Sequence, residues 1–187
     1  MKPTFKNRPN ELVVTTDGRK LFHSRSVAVN LVLLAQVVED GWNTYVAIGK
    51  RGKAMPDKSG LWNLPAGYLD FDESAPDAAR REAWEEVGLD INEILKTHEI
   101  IKEHLEQPWY VKSTPDENRQ NVTLRYGLMI KVLNTDSLPV LVANNDCEPN
   151  EVDAAMWINI NELNNYKFAF GHDKVITDYY HEGYNLR

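Results

Sequence analysis

A layered α/β or α+β fold is what this sequence predicts, and three observations carry it. Two β-branched runs flank a short turn early in the chain, a helix with both ends marked lies in the middle, and strand and helix patterns follow it. An all-α or all-β chain would keep to one periodicity. With 187 residues, 42% of them apolar, the chain is long enough to bury a real core. Residues 1–187 are read as one domain, with residues 1–24 as an N-terminal extension.

Residues 27–34 and 45–48 are aliphatic and β-branched around Glu39-Asp40-Gly41, so a hairpin is expected. Residues 50–60 are polar and contain Gly52, Pro56 and Gly60, which marks a loop. Residues 61–68 read as one short strand ending at Pro65-Ala66-Gly67. The helix that follows has Ser74 as N-cap with Asp77 three positions on, Pro76 in its first turn and Gly88 at its C-terminal end. Residues 122–133 and 155–160 read as strands and residues 173–180 as the start of a final helix. Residues 103–121 are polar and include Pro108 and Pro115. They are expected to form a long loop, the natural place for substrate contacts.

The formal net charge of −7 gives no general pull toward nucleic-acid backbones or anionic membranes, so neither is an expected partner. Binding a phosphate would take a local cation or a metal. Cys147 is the only cysteine, so no intramolecular disulfide can form, and the five histidines show no zinc-ligand spacing. No apolar run near the start resembles a signal sequence, and residues 27–38, interrupted by Asn30 and Gln36, are too short to span a bilayer. A reducing, cytoplasmic setting and a small-molecule substrate are therefore expected. A homodimer is the one protein assembly left open.

On a helix, Glu82, Glu85 and Glu86 stand at i, i+3 and i+4 and crowd three like charges on one face. No Lys or Arg follows four residues later to offset them. Arg81 lies beside this arc and could hold Glu73 or Glu85 by a bidentate contact. Ala79, Ala83 and Val87 form a narrow stripe that would let the helix lie close to a sheet. Oxygen ligands without histidine or thiolate suit a hard cation, Mg²⁺ first and Mn²⁺ second, and such a cation predicts a phosphate-bearing substrate. The competing reading of the same residues is a solvated helix face.

The spacing decides between them. Gly67, Glu73, Arg81, Glu82, Ala83, Glu85, Glu86, Gly88 and Leu89 resemble the signature of the Nudix hydrolases, G-x5-E-x7-R-E-U-x-E-E-x-G-U with U a bulky aliphatic residue. Every fixed position of residues 67–89 is present, and the one departure is the small Ala83. Trp62-Asn63-Leu64-Pro65-Ala66 is similar to the family's usual lead-in. The resemblance implies an α/β/α sandwich around a mixed β-sheet, with the signature forming loop, helix and loop. It also implies Glu82 and Glu86 as the principal metal ligands, Glu85 as a further one, Glu73 and Arg81 as their support, and the carbonyl of Ala66 as an added ligand.

Relatives often use one more acid outside the signature. Glu151, six residues before Trp157, is the first choice for a general base and Glu148 the second. The implied reaction is water attack on a nucleoside diphosphate linked to a group X, giving a nucleoside monophosphate and phospho-X, with ADP-ribose or a nucleotide sugar the leading substrates. Lys50, Arg51 and Lys53 could meet phosphates or simply face solvent. Trp109, Tyr110 and Phe168 could stack on a base or simply pack, and Arg125 could pair with phosphate or line a strand edge. Gln107-Pro108-Trp109 is similar to part of a motif in NADH-cleaving relatives, but the rest of that motif is missing. Residues 168–174, Phe-Ala-Phe-Gly-His-Asp-Lys, resemble a segment of ADP-ribose-cleaving relatives and of sugar-nucleotide-sensing regulators. Two further classes stay open: hydrolysis of nucleoside triphosphates or dinucleoside polyphosphates, and a non-catalytic metabolite sensor.

Overall fold

The computed structural model describes residues 11–23, 26–53, 55, 57–115, 120–144 and 150–182. Strands β1 (Glu11–Val14) and β2 (Lys20–His23) form a separate antiparallel ribbon in the segment read as an extension. The main sheet has β3 (Ser26–Val37), β4 (Asn43–Arg51), β5 (Trp62–Asn63), β6 (Ala66–Tyr68), β7 (Glu99–His104), β8 (Tyr110–Pro115), β9 (Gln120–Val132) and β10 (Val152–Asn159). Helices α1 (Ala75–Val87) and α2 (Ile91–Thr97) cover one face and α3 (His172–Glu182) the other. This is the α/β/α sandwich around a mixed sheet that the resemblance implies.

The centre of the sheet is the parallel pairing of β3 with β9, in register from Ser26 opposite Asn121 to Val37 opposite Val132. Both faces of β3 are covered, which is why its sequence is an almost unbroken apolar run. Val29, Leu31, Leu33, Ala35 and Val37 pack with Ala78, Ala79, Ala83 and Val87 of α1. Val32 and Leu34 pack with Val175, Ile176 and Tyr179 of α3. The expected hairpin is β3 and β4, closed by Gly41 and Trp42, both at φ +64°, with the Asn43 amide donating to the Asp40 carbonyl at 3.2 Å. Two successive left-handed residues match the right-handed twist of the strands they join.

Residues 61–68 are not one strand. Leu34–Val37 of β3 pair with β4, whereas Ala28–Asn30 at the other end of β3 pair with β6, and β5 pairs with Gly49 and Lys50 of β4. The segment thus crosses between two strands and breaks at Leu64-Pro65, where the Pro65 carbonyl accepts from the Leu31 amide at 3.0 Å. Residues 103–121 differ from expectation too. They hold the end of β7 and all of β8, which runs antiparallel to β9 from Tyr110 opposite Arg125 to Pro115 opposite Gln120. Pro108 precedes that strand and Pro115 is its last residue, so neither proline interrupts it. No helix among the described residues is long and apolar enough to cross a membrane.

Gly127 lies on β9 beneath α3, and a Cβ added there would overlap the ring of the buried Tyr179. Gly127→Ala should therefore cost about 1–3 kcal/mol and lower the melting temperature by roughly 2–10 °C. An unchanged thermal unfolding midpoint would show that α3 can lift off the sheet at no cost.

Candidate active site

Helix α1 is fixed at both ends as its sequence requires. The Ser74 hydroxyl accepts from the Asp77 amide, and Gly88, at φ +73°, ends the helix with its amide donating to the Trp84 carbonyl. The face turned to the sheet carries Ala78, Ala79, Ala83 and Val87, and Glu82 and Glu86 lie on the same face. Ala83, the one departure from the signature, is a fully buried part of that contact. Small residues bring the helix close enough to the sheet to take two carboxylates inside with it.

Glu86 is 1% exposed, and one of its oxygens accepts from the Asn63 side-chain amide and from the Ala66 backbone amide, both at 3.2 Å. Its pKa is pushed well above the ordinary value by burial first and by the charges of Glu82 and Glu151 next. Glu82 is 5% exposed, and burial raises it to about 7 even though Arg81 pulls it down. Its carboxylate lies directly on the backbone of Gly67, where any side chain would collide with it. That contact is the physical reason for a glycine there.

Arg81 holds the set together. Its Nε and Nη2 donate to the two oxygens of Glu73 at 2.8 and 3.0 Å, a bidentate pair. Its Nη1 donates to Glu82 at 2.8 Å and to Glu85 at 2.7 Å, and Nη2 also reaches the Tyr68 carbonyl at 2.9 Å. Glu73 is consequently held below its usual pKa, chiefly by the Arg81 hydrogen bonds. The alternative left open in the sequence, Glu73 or Glu85, resolves into both, with the fork given to Glu73.

One guanidinium cannot neutralise four carboxylates, and burying an uncompensated charge costs several kcal/mol. Oxygen donors in this state suit a hard divalent cation. Glu82 and Glu85 both turn to Arg81, and among the described residues no three acid, imidazole or thiolate groups already converge on one point. Glu82, Glu85 and Glu86 are the residues able to hold such an ion. What the structure records for Ala66 is its amide, bound to Glu86.

Glu151 stands just before β10, near enough to Glu82 and Glu86 for its charge to raise the pKa of both. Its carbonyl accepts from the Gly52 amide at 2.6 Å, so the end of β4 carries it. Glu148 lies outside the described residues. Arg51 is not a loop residue: it ends β4, is 7% exposed, and donates to the carboxylate and carbonyl of Asp57. Lys53 is exposed in the turn beyond it.

Arg125 projects on the α3 side of β9, 5.8 Å from the Trp109 ring and 5.1 Å from that of Tyr110. Trp109 packs against Tyr179 and Phe168 against the α3 core, and both are partly buried there. The reading from sequence passed over Asn63, which holds Glu86, and His172, whose Nδ1 accepts from the Leu64 amide at 3.0 Å. Only their neighbourhood in the Trp62–Ala66 lead-in and in residues 168–174 pointed to them.

Comparison with known proteins gives a match to the NUDIX domain over residues 27–179. A 79-residue stretch is 28% identical to Nudix hydrolase 19, chloroplastic, of Arabidopsis thaliana, covering 42% of this chain and 16% of that protein. The fold is similar to the NUDIX domain of Shewanella oneidensis NrtR complexed with ADP ribose, with a TM-score of 0.58 and 18% identity over 85% of this chain and 88% of that one. It is also similar to a bifunctional NMN adenylyltransferase/ADP ribose pyrophosphatase of Francisella tularensis complexed with AMP and a Mn ion. There the TM-score is 0.62 with 22% identity, over 85% of this chain and 42% of that one. At these identities the likeness to the solved structures is one of fold.

Burial, and then the charges of Arg125 and Arg51, lowers His172 from 6.5 to about 3. The unfolded chain therefore takes up a proton at this position below 6.5 that the folded chain refuses until about 3. Stability should fall as the pH drops through that window, by about 1.4 kcal/mol per pH unit for one proton. His172→Asn keeps an acceptor for the Leu64 amide and removes the titration. Urea unfolding of wild type and variant at several pH values should show a flatter profile for the variant, and parallel profiles would sink the assignment.

Proposed function

Because this chain belongs to the NUDIX domain family, matched over residues 27–179, we propose that it is a Mg²⁺-dependent pyrophosphohydrolase acting on a nucleoside diphosphate linked to a second group, ADP-ribose or a nucleotide sugar first. The observation that carries this reading is the buried carboxylate pair Glu82 and Glu86, held by Arg81, Asn63 and the Ala66 amide beside Glu151. Mg²⁺, or Mn²⁺ in its place, held by Glu82, Glu86 and Glu85 would neutralise diphosphate charge and make water a stronger acid.

The protein's own part is positioning and proton transfer. Glu73 and Arg81 hold Glu82 and Glu85 on one side of the site, from which a bound cation would draw them toward Glu86. Glu151 accepts the proton of the attacking water as a new P–O bond forms and the bridging P–O bond breaks. The products are a nucleoside monophosphate and phospho-X. A positioned base of this kind contributes about 10²–10⁴-fold. Arg125, close enough to His172 to lower its pKa, is a cation on the α3 side that substrate phosphates can meet, with the exposed Lys53 beyond β4.

ADP-ribose, nucleotide sugars, dinucleoside polyphosphates and nucleoside triphosphates, each with Mg²⁺, form the test panel. Turnover of the first two above the others is expected. Preference for either of the others would redirect the substrate class, and tight binding with no turnover would favour a sensor. Glu86→Gln keeps an acceptor for Asn63 and Ala66 while removing a charged ligand. It should lose at least the roughly 10–100-fold that disturbing even an outer partner of a metal site costs, with the fold intact. Undiminished kcat in that variant rules the metal assignment out. Glu151→Gln tests the base in the same way.

A further inference from the structure

Among the described residues Trp42, Tyr68, Phe71, Trp84, Tyr110 and Phe170 are aromatics that the fold presents outward, and Phe170 is the one of them whose ring lies against Arg51. The chain on either side of it is pinned. The Lys167 carbonyl accepts from the Trp62 amide at 3.0 Å, the Ala169 amide donates to the Trp62 carbonyl at 2.8 Å, and the His172 amide donates to the Ala169 carbonyl at 3.1 Å. Ala169 and His172 are buried, yet Phe170 between them is 47% exposed. Its backbone stands at φ +58° and is followed by Gly171 at +68°. A residue with a bulky side chain rarely adopts that conformation, and half-exposed packing does little to offset its cost.

The inner side of the ring is occupied. The Arg51 guanidinium lies 5.0 Å from the ring centroid and is fixed there by its three hydrogen bonds to Asp57. The His172 ring is 5.7 Å away, tilted by 54°. Arg51 also acts on the charge of Glu86, and the amide of the next residue, Gly52, carries Glu151. The exposed ring therefore stands at the edge of the acid cluster, anchored by a buried cation.

Resting on the pyrophosphohydrolase reading above, we propose that Phe170 is a stacking shelf for the planar heteroaromatic ring of the substrate nucleoside, whose diphosphate extends toward Glu82 and Glu86. Arg51 holds the shelf from behind, and the outer face takes the base in an offset stack. This deepens the substrate class to a nucleotide recognised through its base. It adds Phe170 to the stacking candidates Trp109, Tyr110 and Phe168, of which Trp109 and Phe168 are partly buried against the α3 core.

Three variants test the shelf. Phe170→Leu keeps apolar bulk but has no ring, Phe170→Tyr keeps the ring, and Phe170→Gly relieves the backbone. Base–aromatic stacking of ordinary strength predicts that Phe170→Leu raises KM for the preferred nucleotide about 10-fold, more than it lowers kcat. Phe170→Tyr should restore wild-type KM. AMP titrated calorimetrically should bind Phe170→Leu about 10-fold more weakly than wild type, while ribose 5-phosphate, which has no ring, should bind both alike. Phe170→Gly should lose AMP affinity with a melting temperature equal to or above wild type, whereas a packing role would lower it.

Equal KM and equal AMP affinity for wild type and Phe170→Leu would overturn the shelf and leave the hydrolase reading standing. Ring-dependent AMP binding by a wild-type protein that turns over no member of the panel would do the reverse.

Discussion

Residues 63–66 are gripped from both faces of the sheet, and the arrangement of the site depends on that grip. From the α1 side Glu86 takes the side-chain amide of Asn63 and the backbone amide of Ala66. From the α3 side the His172 imidazole takes the backbone amide of Leu64. The segment lies where β3 exchanges β4 for β6 as its partner, so ordinary strand pairing cannot satisfy all of its backbone there. A buried donor left unpaired costs about 1–3 kcal/mol. Two side chains from opposite layers therefore supply what the sheet does not.

The same grip explains how the protein tolerates buried acids. Glu86 is at once a ligand candidate and the partner of two donors, so its burial has a structural return even without a counter-charge. Glu82 has a different arrangement. It rests on Gly67 and leans on Arg81, which is shared with Glu73 and Glu85. The guanidinium is thus a spacer as much as a counter-ion. It keeps three carboxylates at fixed separations, and the charge it leaves uncompensated would favour the proposed divalent cation. In the proposed role of Glu86 as a ligand, removing charge from this cluster and removing a ligand from it are the same act, so stability and cation affinity would oppose one another there.

What the sequence made legible was local. The ends of α1 follow from Ser74, Pro76, Asp77 and Gly88, and the acids from the i, i+3, i+4 spacing of a single helix. The breaks came where a long-range partner decides. Residues 61–68 look like one strand because their periodicity is continuous, and only the different pairings with β4 and β3 divide them. Residues 103–121 look like a loop because an edge strand such as β8, with Tyr110 to Ser113 exposed, carries no apolar alternation, and its flanking prolines read as breakers. Phe168 and Phe170 are two positions apart in one motif. Which of them packs and which faces outward is set by the Trp62 pairing and the left-handed turn, neither of which leaves a mark in composition.

These differences divide the molecule by layer. The α1 layer supplies the acids and their support, and the signature spans almost all of it, so a short stretch of sequence is enough to specify the chemistry. The α3 layer supplies Arg125, Trp109, Phe170 and His172 from β9, from the segment before β8 and from the final helix and its approach, with Arg51 coming from the end of β4. No short motif can encode a surface assembled from elements so far apart in the chain. In the proposed function, with the chemistry on one face and recognition on the other, substrate could change without disturbing the acids, provided residues 63–66 stay held between the two layers. His172 belongs to the α3 layer and yet holds Leu64, two residues from the Ala66 amide bound to Glu86. Through that short stretch of backbone, the position of α3 becomes a term in the geometry of the acids.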